Sequence, residues 1–92
     1  MFRTPRVNVI ESDTGFSVEV LGRTGLLYAE GEKSMKIDSE VLTSSEIGII
    51  KKSIRAWKPP FENEAVDDGK RDTIIENIRQ AFRSQGTSIT VW

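Results

Sequence analysis

Two pairs of carboxylates, Glu62 with Glu64 and Asp67 with Asp68, are the residues best placed to share acid and base work, one side chain donating a proton while its neighbour accepts one. They stand directly before a stretch of helical periodicity, where acidic side chains are expected as caps of the first turn and as solvated loop charge. The remaining chemistry-bearing residues are few. There is no histidine, which removes serine–histidine and cysteine–histidine nucleophile pairs and any imidazole metal site. There is no cysteine, so no thiolate ligand or disulfide, and a cytoplasmic setting is the expectation. No serine precedes a lysine by three positions, as a serine–lysine nucleophile would require. Gly69-Lys70 is followed by Arg71 where a phosphate loop needs a hydroxyl, and Glu64 stands where its first glycine belongs. A calcium loop laid over Glu64 to Ile75 would need Val66 and Ile75 as ligands. The residues thus point to no catalytic group, no metal and no cofactor, and an enzyme is not expected.

Binding is the other class of function. Lys51, Lys52, Arg55 and Lys58 enclose Trp57, the one basic run with an aromatic inside it, a composition that suits single-stranded nucleic acid. On an extended strand these charges would divide between two faces, where lysines commonly guard edges. Gly22-Arg-Thr-Gly25 has the GxxG form of one RNA-binding module, but it lies between strands rather than helices and reads as a turn. Lys and Arg number 13 against 14 Asp and Glu, a balance that weighs against a protein devoted to neutralising phosphates or anionic lipid. Directly beyond the basic run come Glu62, Glu64, Asp67 and Asp68 with no base among them, a patch able to steer a basic partner.

The elements that must position these groups follow from periodicity. In Lys70 to Gln85, Ile74, Ile75, Ile78, Ala81 and Phe82 stack into one apolar stripe, which predicts an amphipathic helix. Asp67 or Asp68 can cap it, Asp72 lies near its start, Arg79 and Arg83 lie toward its end, and Gly86 is its natural stop. Nearly everything else reads as strand. Val7 to Ile10 and Phe16 to Leu21 form a first hairpin, and Leu26 to Glu30 with Lys33 to Leu42 form a second, around a Gly31-Glu32 turn. Ile47 to Trp57 is the longest strand-like run, with inconsistent parity that suggests a bulge near Lys51 to Ser53 or burial on both faces. Pro59 and Pro60 end it, and Thr87 to Trp92 closes the chain as a strand.

The expected fold is therefore α+β: an antiparallel meandering sheet of five to six strands with one C-terminal helix packed on it and a final strand. With 92 residues the chain reads as one domain, 1–92, in which residues 1–6 form a flexible arm. The N-terminal residues do not read as a secretory signal, and no run is long enough to span a membrane. A helix about 10 Å wide covers only about two strands at their usual spacing. Either the sheet curls around the helix, or Leu21, Leu27, Ala29, Leu42 and Trp92 are left exposed for a partner or a second copy.

The Gly25-Leu-Leu-Tyr-Ala-Glu-Gly31 hairpin followed by Met35 and Ile37, the Trp57-Lys-Pro-Pro60 stop, and the terminal helix and strand together resemble the immunity protein 74 family of bacterial polymorphic toxin systems, over about Leu21 to Val91. The resemblance implies a small cytoplasmic protein that protects the producing cell by binding and blocking a cognate toxin domain. Such a blocker needs a complementary surface and no catalytic residue. Many toxins of these systems are nucleases with basic clefts, and by that analogy the acidic loop Glu62, Glu64, Asp67 and Asp68, with Trp57 and Phe61 as aromatic anchors, is the expected partner-binding site. Trp57 fits the core as well as an interface. A dimerising adaptor or structural domain, acting as a homodimer, is the alternative, followed by a small nucleic-acid-binding module.

Overall fold

The helix forms where the apolar stripe requires it. In the computed structural model, which describes residues 1–92, it runs over Asp68–Arg83 (α1) and buries Ile74, Ile75, Ile78, Ala81 and Phe82. Asp67 is the N-cap: its Oδ1 accepts the backbone N–H of Lys70 at 2.8 Å, satisfying one of the donors that a first turn leaves free. At the other end the N–H of Thr87 reaches the carbonyl of Phe82 and the N–H of Gly86 that of Arg83. This paired closure places a left-handed residue just past the helix, and Gly86, at φ 76°, takes that conformation without a Cβ penalty.

Seven strands make one sheet in chain order: β1 (Phe2–Arg6), β2 (Val9–Ser12), β3 (Phe16–Val20), β4 (Thr24–Glu30), β5 (Lys33–Thr43), β6 (Glu46–Ile49) and β7 (Ser88–Val91). Neighbours are antiparallel through β6, and β7 returns after the helix to pair with β6 in parallel, Ile47 opposite Ile89 and Ile49 opposite Val91. Gly31, at φ 58°, opens the tight turn that sets the β4–β5 register.

The count is one or two strands above the sequence expectation, and the differences have local causes. Phe2–Arg6, read as an arm, pairs with β2; Arg3, Pro5 and Arg6 hide its pattern because only Phe2 turns toward the core. Val7 and Asn8, read as the start of the first hairpin, form the turn between β1 and β2 instead, with Asn8 at φ 70°. The long run from Ile47 is not one strand. It leaves the sheet at Ile49, makes a 3-10 turn over Lys51–Ser53, and continues without pairing, so that Ile54 and Trp57 return to the core by a different route. No bulge is present at Lys51–Ser53, and burial on both faces holds only within β6, where Ile47, Gly48 and Ile49 are all buried. The Ser53 hydroxyl holds the turn, donating to the carbonyl of Ile50 and accepting the N–H of Asp38.

The sheet curls around α1, which lies against β7 on one side and β2 and β3 on the other. The curl answers the width problem that one helix on many strands poses. Its concave face supplies Ile10, Phe16, Val18, Leu26, Tyr28, Met35, Ile37, Ile47 and Ile49 to a core that the helix stripe, Ile54 and Trp57 complete. The residues suggested as an exposed face divide: Leu27 and Ala29 are half-buried, and Leu21, Leu42 and Trp92 are exposed. No helix is long and apolar enough to cross a membrane.

Candidate functional site

The segment between the 3-10 turn and α1 is tied to the body of the protein along its length. Arg71 Nε donates to the carbonyl of Ile54 at 2.8 Å, and the N–H of Lys58 donates to the carbonyl of Ser34 at 2.8 Å. After the cis Pro59–Pro60 bond, the N–H of Phe61 closes on the carbonyl of Lys58 and that of Glu64 on Phe61, both at 3.0 Å. Phe61 and Val66 pack their side chains on the core.

Beneath this loop lies a row of aromatic rings along the concave face. Phe2 meets Phe16 edge-on, Phe16 stacks on Tyr28 at 5.9 Å, and Tyr28 stacks on Trp57 at 6.3 Å between centroids. Trp57 is only 3% exposed, so of its two sequence-based placements the core is the one the fold gives it. Two ammonium groups flank its ring, Lys33 Nζ at 5.7 Å and Lys70 Nζ at 5.9 Å, within the range of a cation–π attraction.

Those lysines also hold acids. Lys70 pairs with Glu30 Oε1 at 2.7 Å, Glu30 Oε2 accepts the hydroxyl of Tyr28, and Asn77 Nδ2 donates to that hydroxyl at 2.9 Å. Burial, reinforced by the hydrogen bond to Glu30 and its negative charge, raises the Tyr28 phenol well above its ordinary pKa, so it serves as a neutral donor. Lys33, the first residue of β5, pairs with Glu64 of the loop. Tyr28, Glu30, Lys33, Lys70 and Asn77 thus form the support of the loop. Nothing local in the sequence marks Lys33 or Asn77 for this role; they come from remote elements that meet only in the fold.

The four acids of the loop stand differently from one another. Asp67 is occupied as the helix cap, Asp68 pairs with Arg71 one turn along, Glu64 pairs with Lys33, and Glu62 is exposed and makes no ion pair. Phe61 is half-buried and closes the loop over the core. The sequence reading of four acids with no base among them holds along the chain but not in space, where Lys33 lies against Glu64 and Arg71 against Asp68. The basic run is dispersed as well: Lys51 reaches Asp72 at 3.6 Å, and Lys52, Arg55 and Lys58 are exposed around a segment that is not a strand. Together these groups form a charged surface from which Glu62 and Asp68 project as exposed acids.

A family model described as Immunity protein 74 matches residues 17–92, from within β3 to the last residue of the sequence. Comparison with curated proteins and with solved structures gave no match.

Proposed function

We propose that this chain, which belongs to the immunity protein 74 family, protects the bacterium that makes it by binding a cognate toxin domain in the cytoplasm and blocking it through surface complementarity, without catalysis. The family match carries the reading, because it takes in most of the sheet, from within β3 onward, together with the loop and the helix. Two features of the loop support its use as the contact surface. Its backbone is held by the Lys58–Ser34, Phe61–Lys58 and Glu64–Phe61 bonds, so little ordering entropy would be lost on binding. Glu62, Glu64, Asp67 and Asp68 are all exposed, and their acidic charge suits a toxin with a basic cleft, a nuclease being the class that such charge favours.

In this proposal Glu62, Glu64, Asp67 and Asp68 present charge, Phe61 supplies apolar contact at the rim, and Trp57 acts from below by holding the loop in place. The test is binding of the quadruple variant E62Q/E64Q/D67N/D68N to the purified cognate toxin. Asparagine is itself a good N-cap, so the helix start survives the change. The expected result is slower association and weaker binding at low salt, with the difference from the parent shrinking as salt is raised. Equal affinity at low salt would remove the loop from the interface. Failure of the unaltered chain to bind or silence that toxin would remove the immunity reading itself.

A further inference from the structure

The two edges of the sheet are built differently. β1 carries Pro5, a register irregularity between Arg3 and Arg6, and the charges of both arginines, all devices that discourage another strand from pairing. β7, Ser-Ile-Thr-Val, has no proline, no charge and no irregularity. Its bonds to β6 are made by alternate residues: the N–H of Ser88 reaches the carbonyl of Ser45, the N–H of Trp92 that of Ile49, and the carbonyl of Trp92 accepts from Lys51. By the alternation of a parallel ladder, the N–H and C=O groups of Ile89 and Val91 point away from β6 along the free edge.

Beside that edge runs an open groove of about 300 Å³, walled by Arg79 and Arg83 of α1 and by Gly86, Thr87, Ser88 and Ile89. Arg83 makes no ion pair, and Arg79 has only Glu76 of its own helix, at 3.1 Å and partly exposed. The two guanidinium groups spring from positions one helical turn apart, about 6 Å along the axis. Alternate residues of an extended strand repeat at about 6.7 Å. An acidic side chain at every second position of an added strand therefore repeats at an interval close to that of the two arginines along their helix.

We infer that the β7 edge is a docking site for an extended acidic segment of a protein partner, which pairs its backbone with Ile89 and Val91 and its alternate carboxylates with Arg79 and Arg83. This is the strand-addition mode of peptide recognition, with main-chain bonds giving affinity and flanking charge giving selectivity. A second copy of this chain is a poor occupant, because β7 paired with β7 brings two sets of like-charged arginines together. The contact lies near the C-terminal end of α1, whereas the acidic loop lies at its N-terminal end, so either surface can fail without the other.

The test titrates the isotope-labelled full chain with the capped peptide acetyl-Val-Glu-Val-Glu-Val-Thr-amide to millimolar concentration, followed by amide NMR and hydrogen exchange. Ile89 and Val91 amides are expected to shift and exchange more slowly. The R79Q/R83Q variant, altered at one exposed and one partly exposed side chain of α1, is expected to bind about tenfold more weakly. The same peptide with lysine for glutamate, or N-methylated on its β7-facing residues, is expected not to bind. Absence of protection at Ile89 and Val91, or equal binding by the lysine or N-methylated peptide, overturns the inference. So does protection of those amides without peptide that rises with protein concentration, which would assign the edge to self-association.

Discussion

Tyr28 is the only tyrosine in the chain, and it sits at the centre of the polar cluster under the loop. Tyr28→Phe removes one hydroxyl and little volume. It leaves Asn77 Nδ2 without its acceptor and Glu30 with Lys70 alone, so the loss is that of a hydrogen-bonded buried hydroxyl plus a donor left unpaired. Such changes cost about 1 to 2 kcal/mol. The total stability of a chain this size is of the order of 5 to 14 kcal/mol, so the change is a visible fraction, equivalent to a Tm lower by roughly 5 to 15 °C. A double-mutant cycle with Asn77→Leu should give less than the sum of the two single losses, because both remove the same bond.

The ionisation of Tyr28 gives a second, independent reading. Its folded pKa is raised above the ordinary value of 10.0, chiefly by burial and then by Glu30. Below pH 10 the phenol is protonated in both folded and unfolded chains, and its contribution to stability is complete. Above that pH the unfolded chain ionises first, so stability should fall by about 1.4 kcal/mol per pH unit until the folded phenol ionises too. The Tyr28→Phe variant should lack this component of the alkaline decline, which the difference between the two proteins isolates from lysine titration. With a single tyrosine, the tyrosinate absorbance of the folded protein reports on this residue alone. Ionisation near the ordinary value in the folded state, together with a Tyr28→Phe variant as stable as the parent, would refute the buried network.

Three further outcomes rest on particular contacts. Asp67→Ala should lower stability by about 1 kcal/mol in denaturant unfolding while Asp67→Asn stays near the parent, and equal losses from both would deny the capping role. Ile78→Ala, at a fully buried position on the helix stripe, should cost about 2 to 5 kcal/mol, and a midpoint shift too small for that would mean the helix does not seal the concave face. Gly48→Ala would set a methyl 2.8 Å from the Trp92 ring, which is 52% exposed and so can swing away. The expected loss is about 1 kcal/mol with a changed tryptophan emission, and unchanged emission would show that the ring does not rest on Gly48.

What the sequence made legible divides along the line between local and remote causes. The helix was readable because its stripe repeats over several turns and both ends carry their own signals, Asp67 and Gly86. The β4–β5 hairpin was readable from Gly31-Glu32 and the alternation of Met35 and Ile37. The Ile47 to Trp57 run was not, because apolar residues that leave a strand, turn and rejoin the core give the same composition as a long strand with mixed parity. β1 is illegible for the opposite reason: an edge strand needs only Phe2 against the core, and the residues that protect the edge erase the alternation that would announce it.

The same division governs the candidate site. The acids at 62, 64, 67 and 68 are closely spaced charges along the chain, and their number suggests a strong negative field. In the fold that field is reduced by Lys33, the first residue of β5, which pairs with Glu64, and by Arg71 of the helix start, which pairs with Asp68. Each of these cations also serves the structure, Lys33 by flanking the Trp57 ring and Arg71 by holding the Ile54 carbonyl. Charge committed to the fold is poorly available to a partner, since a partner that took Glu64 would have to displace Lys33, and one that took Asp67 would uncap α1. In the proposed toxin complex the acidic contribution should therefore concentrate on Glu62, which makes no ion pair, and on Asp68, whose only partner is an exposed contact within its own helix turn. Surface complementarity of the loop then depends less on its count of acids than on the rigidity that the paired ones give it.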